Sequence, residues 1–304
     1  MCMGTRPPQV TVIIPTYNWS SVLPYSIGSA LRQTFSDFEV LVVGDGCTDD
    51  SEAVVKAVND KRVRWINLPV NTGHQSGPNN EGLRQARGEI IAYLGHDDLW
   101  LPHHLSCMVA ALEAGADLAF GITERIVPGE VSRTPTPAKL KYTPGDWLPP
   151  TGVAHRRRVT ERVGGWGDYR ALTVSPETDL WRRAYDCGYK LVFVPRLTAL
   201  KFPASKRPGI YRDTPHHEQA EWFGRIRSEC DLEAVELVGL LASAIKIPAW
   251  NEKRYPQMAR DFLSETARRI RRRLVGMVRR PPPAPLQGEM VEDARLAKGL
   301  RPKL

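Results

Sequence analysis

Residues 90–94 form an apolar run that ends at a glycine, and three polar residues follow this glycine: His96, Asp97 and Asp98. Such a run suits a strand that is buried on both faces of a parallel sheet. Ligands of open α/β sheets bind outside the carboxyl ends of the strands. Carboxylates at that position, with no Lys or Arg beside them in sequence, attract a hard divalent cation such as Mg²⁺ or Mn²⁺, which can hold a diphosphate. The alternative is that Asp97 caps a helix that starts near Pro102.

The elements that must position these residues alternate between strands and helices. Apolar runs bounded by Gly, Pro, Asn and Asp indicate strands, and helical spacing of apolar residues fills the gaps between them. The order β-α-β-α-β-α-β implies a parallel sheet whose polar strand ends gather on one edge. The predicted strands span 10–14, 39–43, 63–68 and 89–94, and the predicted helices begin at a cap on Ser20 or Ser21, at Ser51 and near Ser76.

Four motifs in this part of the chain resemble those of the family 2 glycosyltransferases, whose fold is called GT-A. The similarity spans roughly residues 9–195. It implies an α/β fold with a mostly parallel, Rossmann-like sheet flanked by helices, followed by a C-terminal helical extension. The motifs are the first strand with Pro15-Thr16-Tyr17-Asn18, residues 39–49 (similar to E-V-L-V-V-D-D-G-S-T-D), residues 71–98 (similar to N-x-G…A-x-G-x-Y-I-x-x-L-D-x-D-D) and residues 176–195 (similar to E-D-x-D-L-W…G-Y).

The resemblance assigns donor and metal roles to residues of these motifs. It implies that Asp45 pairs with a uracil-like base, although Asp45 also suits a plain turn. GT-A enzymes often supply a late His to the metal, and His216 and His217 are the candidates; surface histidines that open a helix are the alternative. The implied nucleotide-binding residues are Pro15, Thr16, Tyr17, Asn18, Asp45, Gly73, Asn80 and His96, and the implied metal ligands are Asp97, Asp98, His216 and His217.

Three positions depart from the family pattern. Gly44 and Gly95 stand where an Asp is usual, and Asn79 stands where an Arg is usual. These departures leave Asp97, with its two neighbours in sequence, as the metal position. They also keep open an inactive relative that only binds nucleotides or serves as a scaffold.

Two carboxylates compete for the role of catalytic base. Glu177 falls where the family keeps its catalytic Asp, and Asp179 follows two positions later. Residues two apart on a helix point about 200° apart around its axis, so both cannot face the acceptor. The family alignment favours Glu177, which leaves Asp179 to cap the helix or to steady the acceptor loop.

The predicted reaction is a single displacement with inversion at the anomeric carbon. A metal-bound diphosphate leaves while the base takes the proton of the acceptor hydroxyl. UDP is the nucleotide that the resemblance implies, and the acceptor is a saccharide, a lipid-linked glycan or a small molecule, as in bacterial polysaccharide biosynthesis.

Trp166 is either a stacking platform for the acceptor or a core residue. The arginines at 156–158 either face an anionic acceptor or lie in a solvated turn. A nucleotidyltransferase is disfavoured because Pro15-Thr16-Tyr17-Asn18 contains neither a Gly-rich loop nor a Lys or Arg.

Composition and charge divide the 304-residue chain. We predict a nucleotide-sugar half at 1–125, an acceptor and base half at 126–212, C-terminal helices at 213–280 and a disordered Pro-rich, polar tail at 281–304. Five Cys without metal spacing predict reduced thiols, and no apolar run reaches the ~18 residues that cross a bilayer. With no signal peptide recognised, these features predict a cytoplasmic protein.

The basic character of the chain belongs to its C-terminal part. The net charge is +8, and fourteen Lys or Arg against five Asp or Glu lie from Lys253 onward. The catalytic half is therefore close to neutral, which argues against nucleic acid as a partner. Residues 256–280 form a predicted basic amphipathic helix. It either contacts an anionic membrane at its inner face or packs on the catalytic domain or a second subunit, as in a homodimer.

Overall fold

A nine-stranded mixed sheet forms the centre of the computed structural model, which describes residues 6–127, 135–136, 140–207 and 218–249. The strands are β1 (Val10–Thr16), β2 (Phe38–Gly44), β3 (Val63–Asn67), β4 (Ile90–Tyr93), β5 (Leu99–Trp100), β6 (Leu118–Arg125), β7 (Pro135–Thr136), β8 (Val153–Arg156) and β9 (Leu191–Lys201). The helices are α1 (Leu23–Leu31), α2 (Ser51–Ala57), α3 (Ser76–Gln85), α4 (His104–Glu113), α5 (Arg157–Val163), α6 (Pro176–Asp186), α7 (Glu218–Ser228) and α8 (Leu232–Ala249).

The predicted parallel half of the sheet is confirmed. β1 pairs in parallel with both β2 and β4, and β2 pairs in parallel with β3. The carboxyl ends of these strands therefore share one edge, as their polar turn residues indicated. The predicted cap of the first helix is wrong: α1 begins at Leu23, its N-cap is Val22, and no side chain caps it. A proline in the first turn, whose missing N–H needs no partner, suits this start instead.

The other half of the sheet contains antiparallel pairs. β8 runs antiparallel to both β4 and β6, whereas β6 runs parallel to β9. Arg156, at the end of β8, therefore lies opposite Ile90, at the start of β4. Arg125 and Lys201, the last residues of β6 and β9, lie opposite each other in register. Strands from both sides of residue 125 thus belong to one sheet.

Alternating side chains of the central strands build two cores, one on each face of the sheet. Val12 and Val40 join the core that packs against α1, α2 and α4. Ile13 and Leu41 join the opposite core, which packs against α3, α5 and α6. Because successive strand residues point to opposite faces, the continuous apolar runs in the sequence are those of strands covered on both sides.

The C-terminal helices pack against the edge formed by β5 and β9. Trp222 and Ile226 of α7 lie in a third core with Phe202, which follows β9. Phe223 lies so close to α1 that a Cβ on Gly28 would come within 2.8 Å of its ring. No helix within the described ranges has both the length and the apolar character needed to span a membrane. The predicted amphipathic helix at 256–280 and the tail at 281–304 lie outside the described residues.

Candidate active site

The turn that carries Asp97 and Asp98 lies beyond the carboxyl end of β4. The Asp98 N–H donates to the Gly95 carbonyl at 3.0 Å, which closes the turn before β5. Gln219 of α7 donates from Nε2 to the Asp97 carbonyl at 2.9 Å, so a C-terminal helix holds the turn from outside. Neither aspartate is the N-cap of a helix, since α4 starts later with His103 at its N-cap. The helix-cap alternative is thereby excluded.

The Asp98 carboxylate is an internal anchor. It is fully buried, and it accepts hydrogen bonds from the Thr151 hydroxyl, from Lys201 Nζ at 3.2 Å and from the Phe202 N–H at 2.9 Å. The position of Asp98 also explains why a glycine stands at 95, where an Asp is usual in the family: a Cβ on Gly95 would come within 2.6 Å of Asp98 Oδ2. Asp97, which retains 8% exposure, is the member of the pair that reaches the protein surface.

Three carboxylates act electrostatically on the ammonium of Lys201. Burial would lower the pKa of Lys201, but the carboxylates of Asp98, Asp97 and Glu177 outweigh it and raise that pKa above its ordinary value. The ammonium is therefore ionised at neutral pH. It pairs with Asp98 in the turn after β4, and the charge of Glu177, at the start of α6, also favours its ionised form.

The residues around Asp97 suit a metal ion that is shared with a ligand. Within the described ranges, no three His, Cys, Asp or Glu side chains are grouped so that they could hold an ion by themselves. Mg²⁺ is usually bound by one or two carboxylates together with substrate phosphates, and Asp97 offers such a carboxylate. His216 and His217, the other predicted ligands, lie outside the described residues.

Asp45 holds the loop that follows β3. Its Oδ1 accepts from the Thr72 N–H at 2.7 Å and the Thr72 hydroxyl at 2.6 Å, and its Oδ2 accepts from the Gly73 N–H at 3.1 Å. Gly73 has φ +93°, a conformation that favours glycine. Asp45 therefore shapes the predicted nucleotide loop whether or not it also contacts a base.

The end of β1 connects the neighbouring loops. The Thr16 hydroxyl lies 2.9 Å from His96 Nδ1, and the Asn18 side chain accepts from the Thr48 N–H at 2.8 Å. Asn18 has φ +42°, a left-handed conformation that Asn tolerates better than most residues. Thr16, Asn18 and His96 thus lie at the predicted edge, next to Pro15 at the penultimate position of β1 and the partly exposed Tyr17.

The other two departures from the family pattern have structural explanations or consequences. A Cβ on Gly44 would come within 2.4 Å of Asn67 Oδ1 and 2.8 Å of the Trp65 ring, so neighbouring side chains fill the space of the usual Asp. Asn79 is fully buried, and both polar atoms of its amide lack a hydrogen-bond partner among the described residues. Such orphaned groups are costly unless a ligand or water satisfies them. The amide of Asn79, in the first turns of α3, is therefore a polar group whose hydrogen bonds the described residues leave unmade.

Asn80 and Trp166, which the sequence predicts to bind ligands, contact each other. Asn80 donates from Nδ2 to the Trp166 carbonyl at 2.9 Å and accepts from the Trp166 N–H at 2.8 Å. Trp166 is 3% exposed and packs edge-to-face on Tyr93 and Trp181. The core alternative for Trp166 is therefore the correct one, since its faces are covered by other aromatic rings and cannot stack on an acceptor.

The two candidate bases have different surroundings. Glu177 lies in the first turn of α6, which Ser175 caps, and Trp147 donates from Nε1 to Glu177 Oε1 at 2.7 Å. Asp179 accepts from Arg182 at 3.0 Å and from Arg183 at 2.8 Å. Arg183 in turn donates to carbonyls of the loop at 163–165. Asp179 therefore stabilises the loop at 163–165 through Arg183, whereas the charge of Glu177 acts on Lys201.

The predicted anion-binding arginines lie at the wrong edge of the sheet. Arg156 donates to the Leu112 carbonyl, and Arg158 pairs with Asp117. Since β8 is antiparallel to β4, its carboxyl end lies where β4 begins, away from Asp97. The suggestion that these arginines face an acceptor is thereby corrected.

Three residues that contact Glu177 or Asp98 were not predicted from the sequence. Trp147 lies where the strand-helix rhythm lapses, and Thr151 follows two prolines, so neither belongs to a periodic element. Lys201 is the last residue of β9. The antiparallel pairing of β5 with β9, in which Leu99 lies opposite Leu200, brings Lys201 to Asp98, so no local pattern indicates it.

The sequence is similar to those of known glycosyltransferases. The sequence model described as Glycosyl transferase family 2 matches residues 11–164, about half of the chain. An uncharacterized glycosyltransferase of Nostoc sp. is 33% identical over 171 residues, 51% of this chain and 53% of the relative. The UDP-Glc:alpha-D-GlcNAc-diphosphoundecaprenol beta-1,3-glucosyltransferase WfgD of Escherichia coli is 30% identical over 135 residues, 44% of this chain and 53% of the relative. The chain thus spans about half the length of these relatives.

Solved structures show the same fold. S. aureus TarS superposes with a TM-score of 0.56 and 20% identity, over 64% of this chain and 37% of that protein. A complex of S. aureus TarS 1–349 with UDP-GlcNAc gives a TM-score of 0.54 and 17% identity, over 82% and 78% of the two chains. At such identities the likeness establishes the architecture alone.

Proposed function

Because this chain belongs to glycosyl transferase family 2, we propose that it moves a sugar, with inversion, from a UDP-sugar to an acceptor hydroxyl. One observation carries the proposal. Lys201 pairs with Asp98, and the charges of Asp97 and Glu177 also raise the pKa of its ammonium, which supports a common location of these groups. A base and a place for a leaving group thus share one edge of the sheet, as an in-line displacement requires.

Glu177 is the proposed base. Trp147 holds its Oε1, and no described residue donates a hydrogen bond to its Oε2. Oε2 is therefore the atom that we assign to the proton. The acceptor oxygen attacks the anomeric carbon, the bond from that carbon to the diphosphate oxygen breaks, and the hydroxyl proton moves to Glu177. Attack opposite the leaving group inverts the anomeric configuration.

The diphosphate leaves at the Asp97 side of the edge. Lys201, ionised and fixed by Asp98, contributes positive charge where negative charge develops on the leaving group. Mn²⁺ or Mg²⁺, held by Asp97 together with the donor's diphosphate, would add Lewis-acid stabilisation of that group. The loop that Asp45 organises, with the orphaned amide of Asn79 nearby in α3, is the proposed place of the nucleotide.

The identity of the substrates is inferred from the relatives. The name of the E. coli relative gives UDP-Glc as the donor and a diphosphoundecaprenol-linked sugar as the acceptor. A second relative, from Campylobacter jejuni, is 34% identical over 119 residues, 38% of each chain, and is named as a GalNAc(5)-diNAcBac-PP-undecaprenol beta-1,3-glucosyltransferase. We therefore propose a hexose donor and a role in the synthesis of a surface polysaccharide or glycolipid.

Calorimetry with UDP, GDP and dTDP, each with and without Mn²⁺, tests the donor. We expect UDP to bind most tightly and Mn²⁺ to strengthen its binding. Release of UDP from UDP-glucose, UDP-galactose and their N-acetylated forms then identifies the sugar, and proton NMR of the product reports its anomeric configuration. Tighter binding of GDP or dTDP would refute the proposed nucleotide, and a product of retained configuration would refute the mechanism.

A further inference from the structure

Trp147 places an aromatic ring beside the proposed base. Its indole is 36% exposed, although large aromatic residues of this protein are mostly buried. The hydrogen bond from its Nε1 to Glu177 Oε1 fixes the orientation of the ring relative to the carboxylate. The C–H face of a pyranose is apolar and packs on such rings, while the polar end of the indole stays hydrogen-bonded. An acceptor sugar on Trp147 would therefore bring a hydroxyl towards Glu177.

Arg125 places a cation over this ring. Its guanidinium carbon lies 6.0 Å from the centroid of the Trp147 ring. Within the ranges that the structure describes, no carboxylate pairs with Arg125, and its buried Nε lacks a hydrogen-bond partner. Its neighbour in register, Lys201, differs because it forms an ion pair with Asp98. A guanidinium without an anionic partner is suited to bind a phosphate through two parallel hydrogen bonds.

A base, an apolar ring and a cation thus lie next to one another: Glu177, Trp147 and Arg125. We propose that Trp147 and Arg125 form the acceptor subsite, and that it takes a sugar phosphorylated at its anomeric carbon. The sugar ring lies on Trp147, one ring hydroxyl faces Glu177, and the phosphate or diphosphate binds Arg125. This inference rests on the proposed function, because it takes Glu177 as the base.

Binding of acceptor analogues tests the subsite. The probes are octyl diphosphate-linked glucose, galactose, N-acetylglucosamine and N-acetylgalactosamine, the matching methyl glycosides without phosphate, and the free sugar 1-phosphates. By calorimetry in the presence of UDP, we expect at least one phosphorylated probe to bind the full-length protein about 10- to 100-fold more tightly than its methyl glycoside. Equal affinity of the diphosphate probe and the free 1-phosphate indicates a soluble acceptor, and tighter binding of the octyl probe indicates a lipid-linked one.

Variants of Arg125 and Trp147 separate the two contributions. Arg125→Met should abolish the preference for phosphorylated probes, and Arg125→Lys should retain part of it, because Lys keeps the charge without the planar fork. Trp147→Phe should weaken phosphorylated and unphosphorylated probes by the same factor. The matched control is Arg62→Met: Arg62 also lies over an aromatic ring, 4.7 Å from the Phe38 centroid, but at the opposite edge of the sheet. It should leave every probe unaffected.

Three results would overturn the inference. They are no preference of the wild type for any phosphorylated probe, an unchanged preference in folded Arg125→Met, and a loss of UDP affinity in Arg125→Met as large as its loss of probe affinity. The last result would move Arg125 to the donor side. Failure of the proposed function has a different signature, since a wild type that does not bind UDP contradicts the donor while the probes, measured without UDP, still report on Arg125.

Discussion

Replacing each candidate base by its amide distinguishes catalysis from structural support. In Glu177→Gln the side chain keeps its size, and the amide oxygen can still accept the hydrogen bond that Trp147 donates at 2.7 Å. The fold should therefore lose less than about 1 kcal/mol of stability. The amide cannot take the acceptor proton, so transfer should fall by about 10²- to 10⁴-fold. Binding of UDP should stay within about twofold, because the base acts on the acceptor.

Asp179→Asn should show the opposite balance. Asp179 is 6% exposed at its side chain, and Arg183, its closer partner, is 28% exposed. Losing the charge weakens two hydrogen bonds to arginines, and partial exposure reduces their value, so we expect a loss of about 1–3 kcal/mol. Each kcal/mol lowers the melting temperature of a domain of this size by ~2–4 °C. Transfer at a temperature where the variant is fully folded should fall by less than about tenfold.

Rates with a saturating UDP-sugar and melting curves of both variants decide between the assignments. Arg170→Met is a suitable control, because Arg170 pairs with an exposed Asp168 and should change neither quantity. Normal turnover of Glu177→Gln together with a folded but inactive Asp179→Asn would show that the base is the other carboxylate. Equal loss of stability in both variants would refute the structural role given to the Asp179 ion pairs.

Further predictions concern Asp97, Asp45, Gly95 and one buried histidine. Asp97→Asn should lower transfer by orders of magnitude without unfolding the protein, and full turnover of this variant, or of wild type in excess chelator, would exclude a metal on Asp97. Asp45→Ala should weaken free UDP and UDP-sugar equally, by roughly 1.5–3 kcal/mol if Asp45 contacts the base, and unchanged UDP affinity in calorimetry would reduce it to a loop anchor. Gly95→Ala should destabilise the protein by displacing Asp98, which a melting curve detects as a lower midpoint. His104 is fully buried, and burial lowers its pKa to about 3, so the unfolded chain binds its proton first. The contribution of the neutral His104 to stability is therefore present above about pH 6.5 and is lost as the pH falls from there to 3, at up to ~1.4 kcal/mol per pH unit. In His104→Gln, the free energy of unfolding measured with urea should depend less on pH in that window.

Much of the fold follows from patterns that are local in the sequence. Apolar runs of strand length, separated by helices, suffice for the parallel order β3-β2-β1-β4 because short crossovers of one handedness allow few other arrangements. The same rule brings the polar strand ends to one edge, so the positions of Thr16, Asp45 and Asp97 could be predicted. The family motifs add the assignment of Glu177, which no periodicity would have distinguished from Asp179.

Long-range strand pairing decided what the local patterns left open. The antiparallel direction of β8 moves Arg156 to the far edge. The pairing of β9 with β5 brings Lys201 to Asp98, and its pairing with β6 brings Arg125 beside Lys201. Burial likewise decided that Trp166 belongs to the core while Trp147 stays partly exposed. A Trp or Arg has the same local signature in a core, on a surface or in a site, because its role depends on partners that are distant in sequence. Only the tertiary structure brings those partners together.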